Sequence, residues 1–596
     1  MRLHGDIDDA SLGIELIGQS ECLSDILLAS PPEWLDKPML RYRMSDGSWK
    51  TLSRIRVQQS VLRVAAWLES KGIKPGDRVG ILGHNCPEWF IADFAILRLG
   101  AITVPAYFTD ASEAVSYVFQ DADVSVIFVE EGQQLHKIEG LEIPHIPFHG
   151  KKESVQAIAR DESWDNRLCS PCPDRQALAT LIYTSGTTAH PKGVMLTHDN
   201  ILSDVQAGLG GVPVYASDLF LSFLPLSHAF ERTVGHFLPT SCGAEIAYAE
   251  DVTTLLRDMP EVHPTVMISV PRLYEKIYAG VKARMAESPI KQWLFDHAQA
   301  LGQVRFEKRQ AGSDLSGFSA FAWRVLDKLV NAKLREKMGG RIRAFVSGGA
   351  ALHPDIARFL LAADITVLPG YGLSETSPVL TVNLERKIKP DTVGPALPGV
   401  ELKVADDGEL LVRGPMLMQG YWNRPDATNE VMDDDGWLYT GDIVNIDDDG
   451  YVKIIDRKKE ILVLSNGENV PPAVVEQHLT QAPFIAQAMI VGDGRDYVVA
   501  LVVPDVEGLR LSWKQEQQSE LPDDWRRNEQ IKTWILLRMH KEEHDLASFM
   551  QVQRFAFVDG EWTQDNGFLT PTLKLKRRVI AEAHQGIIEA MYHDPV

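Results

Sequence analysis

Tyr183 is followed by Thr184, Ser185, Gly186, Thr187, Thr188, Ala189 and His190, and then by Pro191-Lys192-Gly193. Hydroxyls, backbone-permissive residues and one cation in so short a run suit a cluster of anionic oxygens. Backbone N–H groups of such a loop can surround phosphate oxygens, and Lys192 adds a compact positive charge. The spacing is not G-x-x-x-x-G-K-[ST], so the chemistry of that nucleotide loop does not follow. Other side chains are ambiguous singly. Glu375 in "GYGLSETSP" reads as a loop acid, and Tyr371 beside it as a core tyrosine. "LKLKRR", with Lys574 and Lys576, reads as a solvated basic run. Asp447, Asp448 and Asp449 sit in an Asp-Gly turn. Cys169-Ser-Pro-Cys172 has no second ligand pair at zinc spacing, so a chance pair in a connector is expected.

These residues need a frame. Val57, Val61, Val64, Ala65 and Leu68 recur at helical spacing and Gly72 ends the segment. "GDRVGILGHN", "VSVIFVE" and "ALATLIY" are continuous apolar runs of strand length, and "RAFVSGG" and "ITVLPGYG" bracket a helix opened by Pro354. Strands apolar on both faces, alternating with helices, indicate a mostly parallel α/β sheet. Residues 281–338 are charged and helical in character, an insertion or a long helical pair on the surface. After Gly399 the texture turns to short alternating strands with Asp-Gly turns, a small antiparallel unit. Beyond Arg457 a third texture begins, with a Pro-started helix in "PPAVVEQHL" and strands in "FIAQAMIVG" and "DYVVALVVP". The expected fold is therefore α/β: a large N-terminal domain (1–457), then a small mobile α+β domain (458–596).

The bulk numbers bound the function. A chain of 596 residues exceeds one core. A net charge of -22 disfavours nucleic acid as a partner. Five cysteines are few and odd in number, which suits a reducing compartment. The first residues lack a basic-then-apolar leader. The apolar stretch 90–107 contains Asp93, Arg98 and Pro105, so a core helix followed by a strand is expected rather than a membrane span. A cytoplasmic protein is expected, with peripheral membrane contact left open.

"YTSGTTAHPKG" closely resembles the phosphate-loop signature of the AMP-forming acyl-adenylate superfamily of acyl-CoA synthetases, luciferases and peptide-synthetase adenylation domains. "SFLPLSHAFER", "SGGAAL", "GYGLSETSP", "DGWLYTGDI", "IIDRKKEILVLSNGENVPPAVVE" and "LTPTLKLKRR" resemble its other motifs, in order. "VPRLYEKIY", the helical stretch after it and "LTPTLKLKR" look most like bacterial long-chain fatty-acid–CoA ligases.

The resemblance implies a reaction in two halves: a fatty acid and ATP give acyl-AMP and pyrophosphate, and CoA then displaces AMP. Thr184 and Glu375 match the Mg²⁺ ligands. Ser185, Gly186, Thr187, Thr188 and Lys192 would cradle pyrophosphate, and Thr376 would contact the AMP phosphate. Gly348, Gly349 and Ala350 would let adenine approach the backbone, with Tyr371 and Gly372 on the ring. Asp442 would accept the ribose hydroxyls and Arg457 would make a second nucleotide contact. His228 matches a histidine near the acyl carboxylate, and it is no general base, because an attacking carboxylate loses no proton. Lys574 aligns with the catalytic lysine, with Lys576 as the competing register. Lys459 falls at the interdomain hinge, and Gly467 would face the CoA tunnel in the second half. Relatives usually have glycine at Ala189, and some carry a gating tryptophan at Arg232. Val270 and the segment after Tyr278 are candidates for the acyl-tunnel wall. A carrier protein in place of CoA, and an inactive acyl or nucleotide binder, are the alternatives. Monomer and homodimer both remain open.

Overall fold

The apolar runs become the inner strands of two sheets. A computed structural model describes residues 7–184, 191–250, 252–564, 566–570 and 574–593. The eight-stranded sheet runs, in spatial order, Val379–Val382, Val367–Gly372, Ala344–Ser347, Val266–Ser269, Leu219–Ser222, Glu245–Tyr248, Pro38–Arg43 and Trp49–Ser53. Its inner pairs are parallel and both edge strands are antiparallel. The seven-stranded sheet runs Gly420–Tyr421, Lys192–Thr197, Leu178–Thr184, Ile102–Ala106, Arg78–Leu82, Val126–Val129 and His145–Pro147. It is parallel except for the Leu178–Thr184/Lys192–Thr197 hairpin and the short strand beside it. Antiparallel pairs occur where consecutive strands join without a crossover helix, as at that hairpin.

The apolar stretch forms the helix Pro87–Leu99 and the strand Ile102–Ala106, separated by Gly100 in a left-handed conformation (φ 78°). Its charges find partners inside the protein. Asp93 is fully buried against Arg232 and His236, and Arg98 donates to the carbonyls of Ser170 and Pro171. No helix among the described residues is long and apolar enough to cross a membrane.

Glu401–Val404, Glu409–Arg413, Leu438–Ile446 and Val452–Arg457 form the four-stranded antiparallel unit. The smaller C-terminal domain pairs Ile485–Val491, Val499–Pro504 and Arg554–Phe557 in a sheet with the helices Pro472–Leu479 and Glu529–Glu542. Each hydrophobic core ends by Val452 or begins at Leu464 or later. The charged stretch is helical: Pro271–Ala286, Pro289–Gln310, and a run from Gly317 to Lys337.

Cys169 and Cys172 form no unit of their own, as expected of a chance pair: Cys169 is free, while Cys172 joins Cys22, 150 residues away, in a disulfide that the expectation of a reducing compartment did not include. The connector is thereby tied to the N-terminal helices, and Asp25 stands beside both sulfurs. No local spacing announces a pair so distant in sequence.

Candidate active site

The motif residues converge at the carboxyl ends of the parallel strands, where open α/β sheets bind ligands. Ser347 ends one strand, Gly372 ends the next, and Thr184 ends a strand of the other sheet. A cavity of about 310 Å³ lies at the opposite strand ends against Lys37, Arg41, Asp218 and Glu245, away from every motif.

Thr184 faces Lys192 across the hairpin. Ser185, Gly186, Thr187, Thr188 and Ala189, between them, lie outside the described residues. Lys192 places Nζ 5.1 Å from the centre of the Tyr421 ring, and the Tyr421 hydroxyl donates to Glu375 Oε1 at 2.7 Å. Burial, then Glu375, raises the Tyr421 pKa, so the phenol remains a donor. Among the described residues Glu375 Oε2 accepts no hydrogen bond. Sequence reading missed Tyr421; the only hint was the aromatic run Tyr421-Trp422 after Gly420.

Glu375 stands on the short 3₁₀ turn Ser374–Thr376. The Thr376 hydroxyl donates to the carbonyls of Leu373 and Pro378, so it is engaged in shaping its own loop. Gly372 has a steric reason: a Cβ there would stand 1.6 Å from the carbonyl oxygen of Pro378. Gly348 lies under Phe230, whose ring would be 2.8 Å from an added Cβ. Gly349 is left-handed (φ 79°), and the adjoining Ala350 is exposed.

Tyr371, Asp442 and Arg457 form one cluster. Asp442 and Arg457 are partners across adjacent strands, with Arg457 Nε 3.0 Å from Asp442 Oδ1. The Tyr371 hydroxyl donates to Asp442 Oδ2 at 2.5 Å. Burial and the negative Asp442 hold the phenol protonated, its pKa well above the ordinary value. Burial opposes the Arg457 charge, but Asp442, Tyr371 and Glu375 outweigh it and its pKa is raised.

Lys574 reaches this cluster from the small domain. Burial and then Arg457 lower its pKa, while Asp442, Glu460 and Glu375 oppose them. Its side chain keeps exposed surface even though protein atoms crowd the ammonium, as expected at the mouth of a cleft. Lys576 instead acts on Asp110, across the cleft. Gly467 (φ 86°) turns the chain between Leu462–Val463 and Asn469–Val470, and nothing lies within 4 Å of where a Cβ would be. Lys459 is flanked by opposed anchors. Lys458 pairs with Asp407 and Glu409 of the antiparallel unit, and Glu460 pairs with Arg577 beyond the small sheet.

His228 is half-buried, and burial followed by the nearby Lys574 pulls its pKa down to about 4. Its Nδ1 accepts the N–H of Phe230 at 3.1 Å, which puts the ring proton on Nε2. Arg232 is no gate. It is buried, donates to Asp93 and to Thr180 Oγ1, and lies over Trp89 and Phe237. A fixed ion pair cannot swing as a tryptophan could. Further along, Val234 lines an apolar cavity of about 30 Å³ with Phe220, Val266, Ile268 and Val346. Val270, one of the two sequence candidates for the tunnel wall, has its Cγ1 3.6 Å from where a Cβ on Gly349 would be.

Residues 29–422 match the AMP-binding enzyme family, and residues 459–595 match the C-terminal domain of AMP-binding enzymes. The chain belongs to the AMP-binding enzyme family. It is 34% identical to a long-chain-fatty-acid–CoA ligase of Mycobacterium bovis, over 92% of this chain and 94% of that one. It is 32% identical to long-chain-fatty-acid–CoA ligase 1 of Homo sapiens, over 93% and 84%. Among solved structures, an anthranilate CoA ligase in complex with anthranoyl-AMP superposes with a TM-score of 0.73 at 20% identity, covering 94% of this chain and 97% of that one. At that identity the likeness carries the fold alone. The parallel sheets and the smaller following domain of this AMP-binding enzyme are those of that fold.

Proposed function

We propose that this enzyme activates a long-chain fatty acid to acyl-AMP, with release of pyrophosphate, and then transfers the acyl group to CoA. The observation that carries the reading is the meeting of Lys574, from the small domain, with Arg457, Asp442 and Glu375 of the large one. The first half-reaction brings a carboxylate against a polyanion, so it needs fixed positive charge at the point of attack. Lys574 supplies it between carboxylate and α-phosphate. The carboxylate oxygen bonds to phosphorus as the bond to the β-phosphate breaks, and Lys192 sits at the base of the loop that receives pyrophosphate.

Asp442 is fixed to take the ribose hydroxyls, because Tyr371 and Arg457 lock its two oxygens in place. His228 serves as a neutral Nε2–H donor to the acyl carboxylate. Thr184 and Glu375 would hold Mg²⁺; a hydroxyl and a carboxylate with one open oxygen fit that hard cation. When bound, the ion neutralises charge on the phosphates.

The alkyl chain runs past Phe230 toward the apolar cavity lined by Val234. That cavity has room for about one water, so a long chain must displace its walls. Each methylene buried adds about 0.8 kcal/mol until the walls stop yielding. In the second half-reaction the small domain turns about Lys459, withdrawing Lys574 and presenting Gly467 to CoA.

The test is pyrophosphate release from carboxylates between acetate and arachidate, with and without free CoA. Rates should rise with chain length and yield the CoA thioester. A maximum at acetate or at an aromatic acid would sink the long-chain reading. Acyl-AMP formation without thioester would favour a carrier protein as acceptor.

A further inference from the structure

The helical run from Gly317 to Lys337 buries one side and leaves the other bare. Trp323 and Asn331 are buried, and Arg335 is tied to Asp327 and to the carbonyl of Ala363. On the opposite side Phe318, Phe321, Val325 and Leu329 are 83%, 62%, 44% and 47% exposed. Spacings of three, four and four residues put them in a single stripe. Isolated exposed apolar residues need no explanation, but a contiguous stripe headed by two phenylalanines does.

Charge indicates what the stripe would meet. The chain carries -22 overall, yet residues 282–337 hold eleven Lys or Arg against six Asp or Glu. Basic residues on the inner side are already paired: Arg305 and Arg309 meet Asp364, and Arg305 also lies over Trp323. Those bordering the stripe, Arg324, Lys328 and Lys333, have no acidic partner among the described residues. An apolar aromatic face edged by free cations is the pattern of a helix lying in the interface of an anionic membrane. Elsewhere the acidic protein would be repelled by such a surface, so the basic segment also fixes orientation.

The base of the stripe is firm. Helix Pro289–Gln310 presses Gly302 against the Ala362 carbonyl so closely that a Cβ would stand 2.1 Å from it, and Trp323 covers the same glycine. Ile290 and Trp293, on that same helix, are also 72% and 55% exposed.

We propose that the outer face of residues 317–333 is a docking surface for anionic lipid bilayers, with Phe318 and Phe321 inserted among the acyl chains and Arg324, Lys328 and Lys333 on the headgroups. It is independent of the ligase reading.

The test uses the whole chain in flotation with vesicles of phosphatidylcholine alone or of phosphatidylcholine and phosphatidylglycerol. Wild type should float with the anionic vesicles and detach as salt rises. Phe318→Ala with Phe321→Ala should weaken partition on the order of tenfold or more. Arg324→Glu with Lys328→Glu should abolish the preference for anionic lipid. Both variants should keep the wild-type melting temperature and the wild-type rate on octanoate, since the altered side chains are exposed. Failure of wild type to bind anionic vesicles, or wild-type binding by the phenylalanine variant, would overturn the proposal. So would light scattering that shows a dimer turned to monomer by the phenylalanine changes, which would assign the stripe to a second copy of the chain.

Discussion

Replacing Lys574 by alanine should separate the two half-reactions. The ammonium is near enough to Asp442, Arg457 and Glu375 to feel their charges, in a site where burial has already lowered its pKa. An ammonium about 4 Å from a phosphoryl oxygen, at an effective dielectric near 20, is worth about 4 kcal/mol. Water entering the space left by the side chain returns a part, leaving roughly 3–4 kcal/mol, or 10²–10³ in rate. The assay is ATP–pyrophosphate exchange with palmitate, beside single-turnover thioester formation from supplied palmitoyl-AMP. Lys574→Ala should lose the exchange by that factor and keep the second reaction near wild type. Lys576→Ala, which removes a charge acting on Asp110, should change exchange within about threefold. Because the Lys574 pKa lies below that of an ordinary lysine, the protonated form is lost sooner as pH rises. Exchange should therefore decline at alkaline pH before a free lysine would titrate, and Lys574→Arg should push the decline higher. Normal exchange by Lys574→Ala, or an inactive Lys576→Ala, would refute the assignment.

Lys459→Pro should leave pyrophosphate exchange largely intact and slow thioester formation at least about tenfold, since the turn between two ionic anchors is where the backbone must rotate; equal loss in both assays would place the hinge elsewhere. Tyr421→Phe removes the donor to Glu375 Oε1, about 1 kcal/mol, so half-saturation by Mg-ATP should rise roughly fivefold with little change for palmitate. Asp93→Ala strands Arg232 in the core and should cost about 3–5 kcal/mol, read as a lower urea midpoint. Glu231 is buried and, among the described residues, has no well-formed hydrogen bond to either carboxyl oxygen; burial outweighs the opposing pull of nearby Ser222 and raises its pKa to about 8. The folded state therefore holds a proton that the unfolded chain has released above pH 4.5, and stability falls as pH rises from about 4.5 to about 8. Glu231→Gln should remove that part of the slope in melting temperature; an unchanged slope would show that Glu231 is ionised in the fold.

The strands were legible because a buried parallel strand must be apolar on both faces, as Val126–Val129 and Leu178–Thr184 are. The change of texture after Arg457 was legible because an antiparallel unit and an α+β unit use different periods. The distant pairings were not. Asp93 in an apolar helix and Arg232 beyond the loop that carries Pro225 give no local signal for each other, and neither do Cys22 and Cys172. Their partnership is a product of topology. Tyr421 was missed for a related reason: it enters the site on a two-residue strand against Met195 and Val194, too short to show a period. Arginine at 232, where some relatives carry a tryptophan, already spoke against a tryptophan gate, and burial beside Asp93 makes the residue part of the core.

Two half-reactions at one site require some parts to stay and others to leave, and the construction of the interface permits that. The cluster of Tyr371, Asp442 and Arg457, proposed to hold the nucleotide, is held by neighbouring strands of the large domain, so it persists whatever the small domain does. The domains meet through polar contacts: Arg272 to the Ala486 carbonyl at 3.4 Å, Gln477 to the Ala351 carbonyl at 3.1 Å, and Gln481 against His353 at 2.6 Å. No hydrophobic core is shared across residues 453–463. Hydrogen bonds of this kind net roughly 1 kcal/mol each, and water can replace every one of them. Turning the small domain therefore costs a few kcal/mol at most, which binding of CoA can offset. On the proposed reading, a hydrophobic interface would have kept Lys574 in place through both half-reactions and blocked the second.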